Sequence, residues 1–259
     1  EVHLMEKYTD TSKVSLRPID KKTAIDIIKK YHYTHKAPGT LQDALGVYYR
    51  GDDTSKFFDD DEKLIGCIMY GYPVGRHVIN SIVEDENIKS TNICELLRLF
   101  IHDGYGKNIE NYVIGQSFKW LKENRPKVKI LVSYADPEAG HIGYVYQSTN
   151  WMFQCPEPGG AIWTSLTKDP YEWMHPRSVH IKFGFAGKDG LKSVLDKPFY
   201  IKKSSPKYRY LYLLGNKREN RLLKSKFKYP NLPYPKDNDY EMKVIEVIPD
   251  KKKKINKFI

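Results

Sequence analysis

One stretch of the chain restricts the possible folds more than any other. Residues 94–102, CELLRLFIH, are apolar apart from one glutamate, one arginine and the final histidine. A glycine-containing loop, Asp103 to Asn108, follows, and apolar residues then recur at helical spacing from Ile109 to Glu123. Val128 to Tyr134 has the composition of a buried strand. A strand, a loop, a helix and a strand in this order predict a parallel crossover unit within a sheet.

The same periodicities predict further elements on either side of this unit. A strand at Val14 to Arg17 and a helix at Lys21 to Tyr31 come first. Two antiparallel strands follow, Ala44 to Arg50 and Lys63 to Gly71, joined by an acidic exposed loop at 52–62. Farther along the chain we expect one short helix at 140–150 and a pair of strands at 151–164, around a turn at 156–160. A single strand at 208–214 and a basic helix at 217–226 follow.

Length and composition favour one main domain with an extension. The chain has 259 residues, of which 40% are hydrophobic, too few for two large independent domains. No apolar run approaches the roughly 18 residues of a membrane span, and the start EVHLMEK lacks the segments of a signal peptide. We therefore expect a soluble, intracellular protein without a membrane partner. The three cysteines, 67, 94 and 155, form no CxxC pair, which favours buried free thiols.

The net charge of +11 is concentrated in one segment. Residues 200–236 contain eleven lysine and arginine residues, one acid and six tyrosines. A basic surface interleaved with planar rings suits contact with phosphates and stacking on bases. A solvated basic face, an anionic membrane or an acidic protein would use the same charge. In the nucleic-acid interpretation the expected DNA contacts are Lys207, Arg209, Lys217, Arg218 and Arg221.

Two glycines, Gly104 and Gly106, lie between the buried strand and the start of the following helix. Free backbone N–H groups and the helix dipole favour an anion such as a pyrophosphate there. A tight turn would use the same glycines. In the phosphate interpretation the cofactor-binding residues are Ile101, His102, Gly104, Gly106, Lys107, Asn108 and Ser133.

Three groups with acid and base chemistry follow the second strand of the crossover unit. Asp136 ends that strand, while His141 and Tyr146 begin the next element. We expect this carboxylate, imidazole and phenol at one sheet edge, where they could position an amine, accept its proton and protonate a leaving thiolate. In the alternative, Asp136 only shapes the turn before Pro137, and Tyr146 only fills the core.

Aromatic and imidazole rings end the first helix, in the sequence YHYTH at 31–35. Two histidines three residues apart can bind a metal, but the sequence shows no matching acidic or cysteine ligand. The flat rings of His32 and Tyr33 suit the wall of a pocket for a flipped base.

Arg98 is a cation within an apolar strand. A buried guanidinium needs an anionic or carbonyl partner. Arg98 therefore either belongs to a functional site or forms a structural pair with Glu95 or Asp136.

The order of elements matches the architecture of coenzyme A-dependent N-acetyltransferases (GNAT). Within it, CELLRLFI at 94–101, Ile114-Gly, VSYAD at 132–136 and GHIGYVYQSTNW at 140–151 resemble the central block of phage Mom-type proteins. Tyr31-His-Tyr33 is similar to an early element of that family, and SPKYRY at 205–210 resembles its basic tails. The resemblance covers residues 30 to 165 well. It implies an α/β (α+β) fold, a GNAT-like mixed central sheet flanked by helices, with a basic C-terminal extension.

The resemblance also implies an activity. A transferase of this family converts adenine in double-stranded DNA to a carbamoylmethyl derivative at N6, which shields phage DNA from restriction nucleases in the cytoplasm of the bacterial host. Arg98, Asp136 and Tyr146 fall where the family has functional residues, and His32 with Tyr33 match its pocket element. The expected cofactor is acetyl-CoA or a related acyl donor, while a metal such as iron and the oligomeric state are left open. Ile101 stands where the usual acetyltransferase loop has Gln or Arg, so the donor also stays open.

The expected domain organisation follows from composition. A catalytic domain at 1–170 is followed by a basic, tyrosine-rich extension at 171–245, packed on it and contacting DNA, and by a flexible lysine-rich tail at 246–259. Two other functions suit the same features. An acetyltransferase of a small amine or protein would work without DNA, whereas a DNA-binding protein without activity would tolerate changes at Asp136.

Overall fold

A computed structural model describes residues 8–51, 62–73, 78–155, 160–238 and 240–250. The strands in these ranges are β1 (Val14–Pro18), β2 (Leu41–Arg50), β3 (Glu62–Gly71), β4 (Ile93–Ile101), β5 (Ile130–Ala135), β6 (Met152–Gln154), β7 (Ile162–Ser165), β8 (Phe199–Lys203), β9 (Tyr208–Leu213) and β10 (Val244–Val247). The helices are α1 (Lys21–Tyr31), α2 (Val78–Ile82), α3 (Ile109–Asn124), α4 (Tyr144–Ser148), α5 (Pro176–Phe183), α6 (Lys188–Val194) and α7 (Lys217–Ser225).

The described residues divide into two compact units. The first unit comprises the residues up to Tyr134, Gly143–Gln154 and Arg209–Tyr234. The second unit comprises Ala135–Ile142, Cys155–Tyr208 and the residues from Pro235 onward.

The first unit contains a seven-stranded sheet in the order β1-β2-β3-β4-β5-β9-β6. Strands β1 to β4 are antiparallel neighbours, whereas β4 and β5 are parallel, with α3 between them in sequence. The predicted crossover unit is therefore confirmed. Helix α1 begins at its N-cap Asp20, whose carboxylate accepts a hydrogen bond from Thr23 N.

Helices cover both faces of this sheet. Ala24 and Ile28 of α1 pack with Cys67 and Met69 of β3. Tyr70, the next residue of β3, points to the opposite face, where its hydroxyl lies 2.7 Å from Ser117 Oγ of α3. The expected fold class, an α/β (α+β) fold with a mixed central sheet flanked by helices, is confirmed.

Strand β9 shows where the sequence-based topology was wrong. Residues 151–164 do contain two strands, but β6 pairs with β9 in the large sheet and β7 pairs with β8 in a small one, so they do not pair with each other. Residues 156–159 of the predicted turn lie outside the described residues. Strand β9 belongs to the sequence of the expected extension, yet it lies in the large sheet between β5 and β6. The two compact units therefore do not follow the expected division at 1–170 and 171–245.

The second unit is built on a three-stranded antiparallel sheet in the order β10-β8-β7. Its core consists of apolar side chains from the sheet and from α5 and α6: Val179, Leu191, Phe199, Ile201 and Val247. Glu246 and Val247, expected in a flexible tail, belong to β10, while residues 251–259 lie outside the described ranges.

The one short helix expected at 140–150 is α4, which covers only Tyr144–Ser148. A 3-10 helix at Pro137–Ala139 is followed by α4, and Gly140 and Gly143 between them have φ of 81° and 87°. A positive φ interrupts a right-handed helix.

The cysteines are free thiols, as predicted; Cys67 and Cys94 are buried, whereas Cys155 is partly exposed. Burial raises the pKa of Cys67 and of Cys94 to about 12, so both stay neutral and serve packing. No helix in the described part of the chain combines the length and the apolar composition needed to cross a membrane.

Candidate active site

The candidate site lies where two parallel strands of the first unit separate. Pairing between β4 and β5 covers Ile93–Glu95 and Ile130–Val132 and then ends. One residue farther, Ser133 Oγ donates to the Leu96 carbonyl oxygen over 2.9 Å and lies 2.8 Å from the Tyr146 hydroxyl. Ser133 therefore links the fork between the strands to α4.

Tyr146 is held by other aromatic rings. Its ring centroid lies 5.2 Å from that of Trp151 and 5.1 Å from that of Tyr210. Burial raises the pKa of Tyr146 to about 12, while the hydrogen bond from Ser133 acts in the opposite direction. The phenol therefore keeps its proton at neutral pH and can act as a proton donor.

Arg98 lies next to a bulge in β4 and interacts electrostatically with Tyr146. Met69 pairs with Arg98 and Tyr70 pairs with Leu96, which leaves Leu97 as an extra residue. Arg98 Nη1 donates to the Leu97 carbonyl oxygen over 2.6 Å. Its Nε is buried and has no hydrogen-bond partner within the described ranges. A guanidinium with a donor to spare can bind a negative charge that develops during a reaction.

His32 and Tyr33 adjoin each other at the end of α1, with ring centroids 4.4 Å apart. Thr34 N donates to His32 Nδ1 over 3.1 Å, which assigns the ring proton to Nε2 if His32 is neutral. His32 is 8% exposed and Tyr33 is 57% exposed. Of the two predicted wall residues, Tyr33 alone therefore offers much ring surface.

The side chains that could ligate a metal are not grouped. Across residues 8–51, 62–73, 78–155, 160–238 and 240–250, no three His, Cys, Asp or Glu side chains are arranged to hold an ion. The metal left open by the sequence therefore does not fit the residues in these ranges.

The glycine loop has the backbone expected of an anion site. Gly104 and Gly106 have φ of 93° and 95°, and Asn108 has φ of 67°. Asn108 is the N-cap of α3, but its side chain makes no capping hydrogen bond. The first amides of a 16-residue helix are thus uncapped, and they can bind an anion.

The neighbouring residues of the loop serve packing. Ile101 is 9% exposed and pairs with Gly66 in the sheet. The His102 ring lies 4.5 Å from the Tyr31 ring and 4.9 Å from the Phe100 ring, between centroids. A groove of about 630 Å³ adjoins the loop, between the start of α3 and α4.

Asp136 belongs to the second unit. It caps the 3-10 helix, since Oδ1 accepts from Glu138 N over 3.1 Å, and Ser205 Oγ lies 3.3 Å away. Lys207 forms an ion pair with its carboxylate. Asp136 and Lys207 both line a cavity of about 430 Å³ in the second unit.

A family model described as the Mom protein family matches residues 13–236. The chain belongs to the Mom protein family. The predicted resemblance is thereby confirmed. Among curated proteins the chain is similar to methylcarbamoylase mom of Escherichia phage Mu, with 28% identity over 215 residues, 81% of this chain and 78% of the phage protein.

Solved structures of acetyltransferases also resemble this Mom-family chain. Arabidopsis thaliana NAA60 in complex with acetyl-CoA has a TM-score of 0.44 and 12% identity, over 77% of this chain and 98% of that one. Spermidine N-acetyltransferase from Vibrio cholerae with CoA and spermine has a TM-score of 0.39 and 10% identity, over 78% and 96%. Since these TM-scores are low, the fold assignment rests on the strand order described above.

The predicted DNA contacts fall into two groups. Lys217, Arg218 and Arg221 are exposed on α7, and Lys207 is exposed beside Asp136. The prediction that Arg209 contacts DNA is wrong, because its side chain is buried, with 1% exposed. Its guanidinium donates to Ser81 Oγ, Ser81 O and Gln154 Oε1. A side chain in the interior of the sheet cannot contact a phosphate backbone.

Gly143 determines how close α4 approaches Tyr210. A Cβ at Gly143 would lie 2.4 Å from the Tyr210 ring, whereas a Cβ at Gly140, which also has a positive φ, would meet no atom within 4 Å. Gly140→Ala should lower the free energy of unfolding by about 1–2 kcal/mol, because alanine disfavours a positive φ. Gly143→Ala should lower it by the same amount and by a further ~1–3 kcal/mol, because its methyl group overpacks against Tyr210. Urea unfolding of both variants measures the difference, and equal losses would contradict the tight contact at Tyr210.

Proposed function

We propose that this Mom-family chain is a transferase that adds a carbamoylmethyl-type or other acyl-derived group to N6 of adenine in double-stranded DNA, protecting phage DNA from restriction. The observation that carries the proposal is the cluster at the fork of β4 and β5, in which Ser133 contacts Tyr146 and Arg98 interacts electrostatically with Tyr146. Membership of the Mom family supports it. A relative named methylcarbamoylase also supports group transfer.

Tyr146 is proposed as the general acid. Because burial raises its pKa to about 12, the phenol is protonated when the reaction begins. Ser133 Oγ lies 2.8 Å from the phenol oxygen and fixes its position, and the phenol would give its proton to a leaving thiolate. Arg98 stabilises the negative charge that develops nearby.

Asp136 is proposed to orient N6 and to accept its proton. The exocyclic amine of adenine is conjugated with the ring and is a poor nucleophile, so positioning and proton removal must both contribute. The Asp136 carboxylate is itself positioned, by the Glu138 amide and by Lys207. The prediction that His32 and Tyr33 line the pocket for the base stays a prediction.

The glycine loop is proposed to hold the donor. Gly104, Gly106 and Asn108 would let its phosphates approach the uncapped amides at the start of α3. In the acyl version of the reaction, N6 would attack the carbonyl carbon of a coenzyme A thioester, so that an N6–acyl bond forms and the carbon–sulfur bond breaks. A carbamoylmethyl group is bonded to N6 through its CH2 carbon, so its donor must present that carbon to N6. The side chains of Ile101 and His102 serve packing, so the loop backbone would make the main contacts.

Helix α7 is proposed to contact the DNA backbone. Replacing Lys217, Arg218 and Arg221 together by alanine should weaken DNA binding and reduce the slope of log K against log salt by about 2 to 3. The matched control replaces the exposed lysines 119, 122 and 127 by alanine. A titration of labelled duplex at several salt concentrations measures both slopes. Equal changes in the two triple variants would contradict a contact specific to α7.

The deciding experiment is mass spectrometry of nucleosides from plasmid DNA of cells that express the protein. We expect a heavier deoxyadenosine with the wild type and with the exposed control Asp26→Asn, and none with Asp136→Asn. The added mass identifies the transferred group. A heavier nucleoside of another base would overturn the substrate, and unmodified DNA would favour a small-amine acetyltransferase or a DNA-binding protein without activity.

A further inference from the structure

The small sheet of the second unit has two chemically different faces. Side chains alternate along a strand, and Phe199 and Ile201 of β8 pack into the apolar core with α5 and α6. Tyr200 and Lys202 therefore point to the other face. Lys202 pairs in register with Trp163 of β7, so these two side chains share that face.

The segment after β7 adds more rings to the same face. Thr164 and Met174 form an antiparallel bridge, which brings His175 opposite Trp163. The Trp163 and His175 rings are accordingly in T-shaped contact, with centroids 5.3 Å apart. Trp173, two residues before His175, points the same way, and Lys202 Nζ lies 4.8 Å from its ring centroid. This aromatic face, Trp163, Trp173, His175 and Lys202, is one wall of the 430 Å³ cavity.

The charged groups of the cavity are matched. Lys202, 7% exposed, forms an ion pair with Glu138, and Lys207 forms one with Asp136. Two carboxylates and two ammonium groups leave no net charge from these four residues. Such a lining suits a neutral ligand with a planar ring and hydrogen-bonding groups better than it suits an ion.

The volume suits a ligand of limited size. Pockets for small molecules measure about 300–1,000 Å³, and this cavity lies at the lower end of that range. Enzymes that act on a base within a duplex flip it into a pocket with aromatic or apolar walls and polar groups for its edge. A carboxylate accepts hydrogen bonds from an exocyclic amine.

We propose that this cavity receives the adenine that is modified, its ring against Trp163 and Trp173 and its N6 amine donating to Asp136. The proposal rests on the proposed function, in that adenine in DNA is the substrate. It assigns the stacking surface to the second unit and not to His32 and Tyr33, because Trp163 and Trp173 line one cavity with Asp136, whereas His32 is buried.

The test measures binding, so it does not depend on turnover. The probes are three labelled duplexes that differ at one unpaired position: adenine, purine without the amine, or an abasic residue. Stacking of one base is worth ~1–3 kcal/mol, about 5-fold to 150-fold in affinity. We expect the wild type to prefer adenine to the abasic residue by about 10-fold, and to prefer adenine to purine by a smaller factor.

The variants are chosen to keep the fold. Trp163→Leu and Trp173→Leu retain apolar volume without the flat ring, and should each lose most of the preference for adenine over the abasic residue. Trp163→Phe and Trp173→Phe should keep it. Trp120→Leu, on α3 of the first unit, is the matched control and should bind as the wild type does. Asp136→Ala should lose the preference for adenine over purine.

Coenzyme A also contains adenine, so its affinity is measured for the same variants. Loss of coenzyme A binding in the Leu variants, with the adenine preference intact, would assign the cavity to the donor and overturn the proposal. An unchanged adenine preference in both Leu variants would also overturn it, even if DNA were modified normally. A tryptophan-dependent preference in a protein that modifies no DNA would refute the proposed function and leave base binding in the cavity established.

Discussion

Replacing Tyr146 by phenylalanine is expected to lower the rate of adenine modification by about 100-fold to 10,000-fold, the usual contribution of a general acid. The ring contacts with Trp151 and Tyr210 do not need the hydroxyl, so the fold should persist. DNA affinity should also stay as in the wild type. Single-turnover rates with a defined duplex, measured by nucleoside mass spectrometry, give the ratio directly.

The control for Tyr146→Phe is Tyr72→Phe, which removes a phenol from an exposed position of the first unit. It should modify DNA at the wild-type rate. The pH profile supplies a second check, because the phenol loses its proton only as the pH rises toward its raised pKa of about 12. The wild-type rate should therefore not fall through ionisation of Tyr146 near the ordinary tyrosine pKa of about 10. A fully active Tyr146→Phe enzyme would remove Tyr146 from the mechanism.

The first two-thirds of the central sheet could be predicted from local sequence patterns. Helix α1 has the predicted bounds, and α3 begins at the predicted residue, Ile109. Both helices carry strong apolar periodicity and a clear boundary signal, the carboxylate of Asp20 for α1 and the glycine loop for α3. The crossover between β4 and β5 follows from the order of those elements.

The later strands could be located from the sequence, but their pairing could not. Alternation identifies a strand without identifying its partner. Strand β6 was expected to pair with the next strand in sequence, as neighbouring strands commonly do. It pairs instead with β9, which lies more than fifty residues farther along the chain, after β7 and β8.

The candidate site could be predicted in part. Arg98, Ser133 and Tyr146 were named from sequence, and the structure places them at one fork. The aromatic face of the second unit was missed. Its signal is present as Tyr171, Trp173 and His175 at alternate positions, but alternation alone does not show that a neighbouring strand carries Trp163 and Lys202 on the same side.

Arg209→Ala is expected to lower the free energy of unfolding by about 3–5 kcal/mol. The side chain fills a buried volume within the large sheet, and its removal leaves a cavity. It also leaves Gln154 Oε1 and the Ser81 carbonyl oxygen without their donor, which adds the cost of unsatisfied buried acceptors. Burial lowers the pKa of Arg209, because removing the guanidinium from water destabilises its charged form. Arg209→Met, which fills the volume without a charge, should therefore lose less stability than Arg209→Ala.

The matched control is Arg221→Ala on α7, which is exposed. It should leave urea unfolding unchanged and reduce the salt slope of DNA binding by about 1. Arg209→Met should show the opposite pattern, with lower stability and an unchanged slope. A stable Arg209→Met protein with a reduced slope would place Arg209 on the DNA. The comparison separates the two roles that arginine has in this basic segment, because charge density alone does not distinguish a guanidinium buried in the sheet from one exposed on a helix.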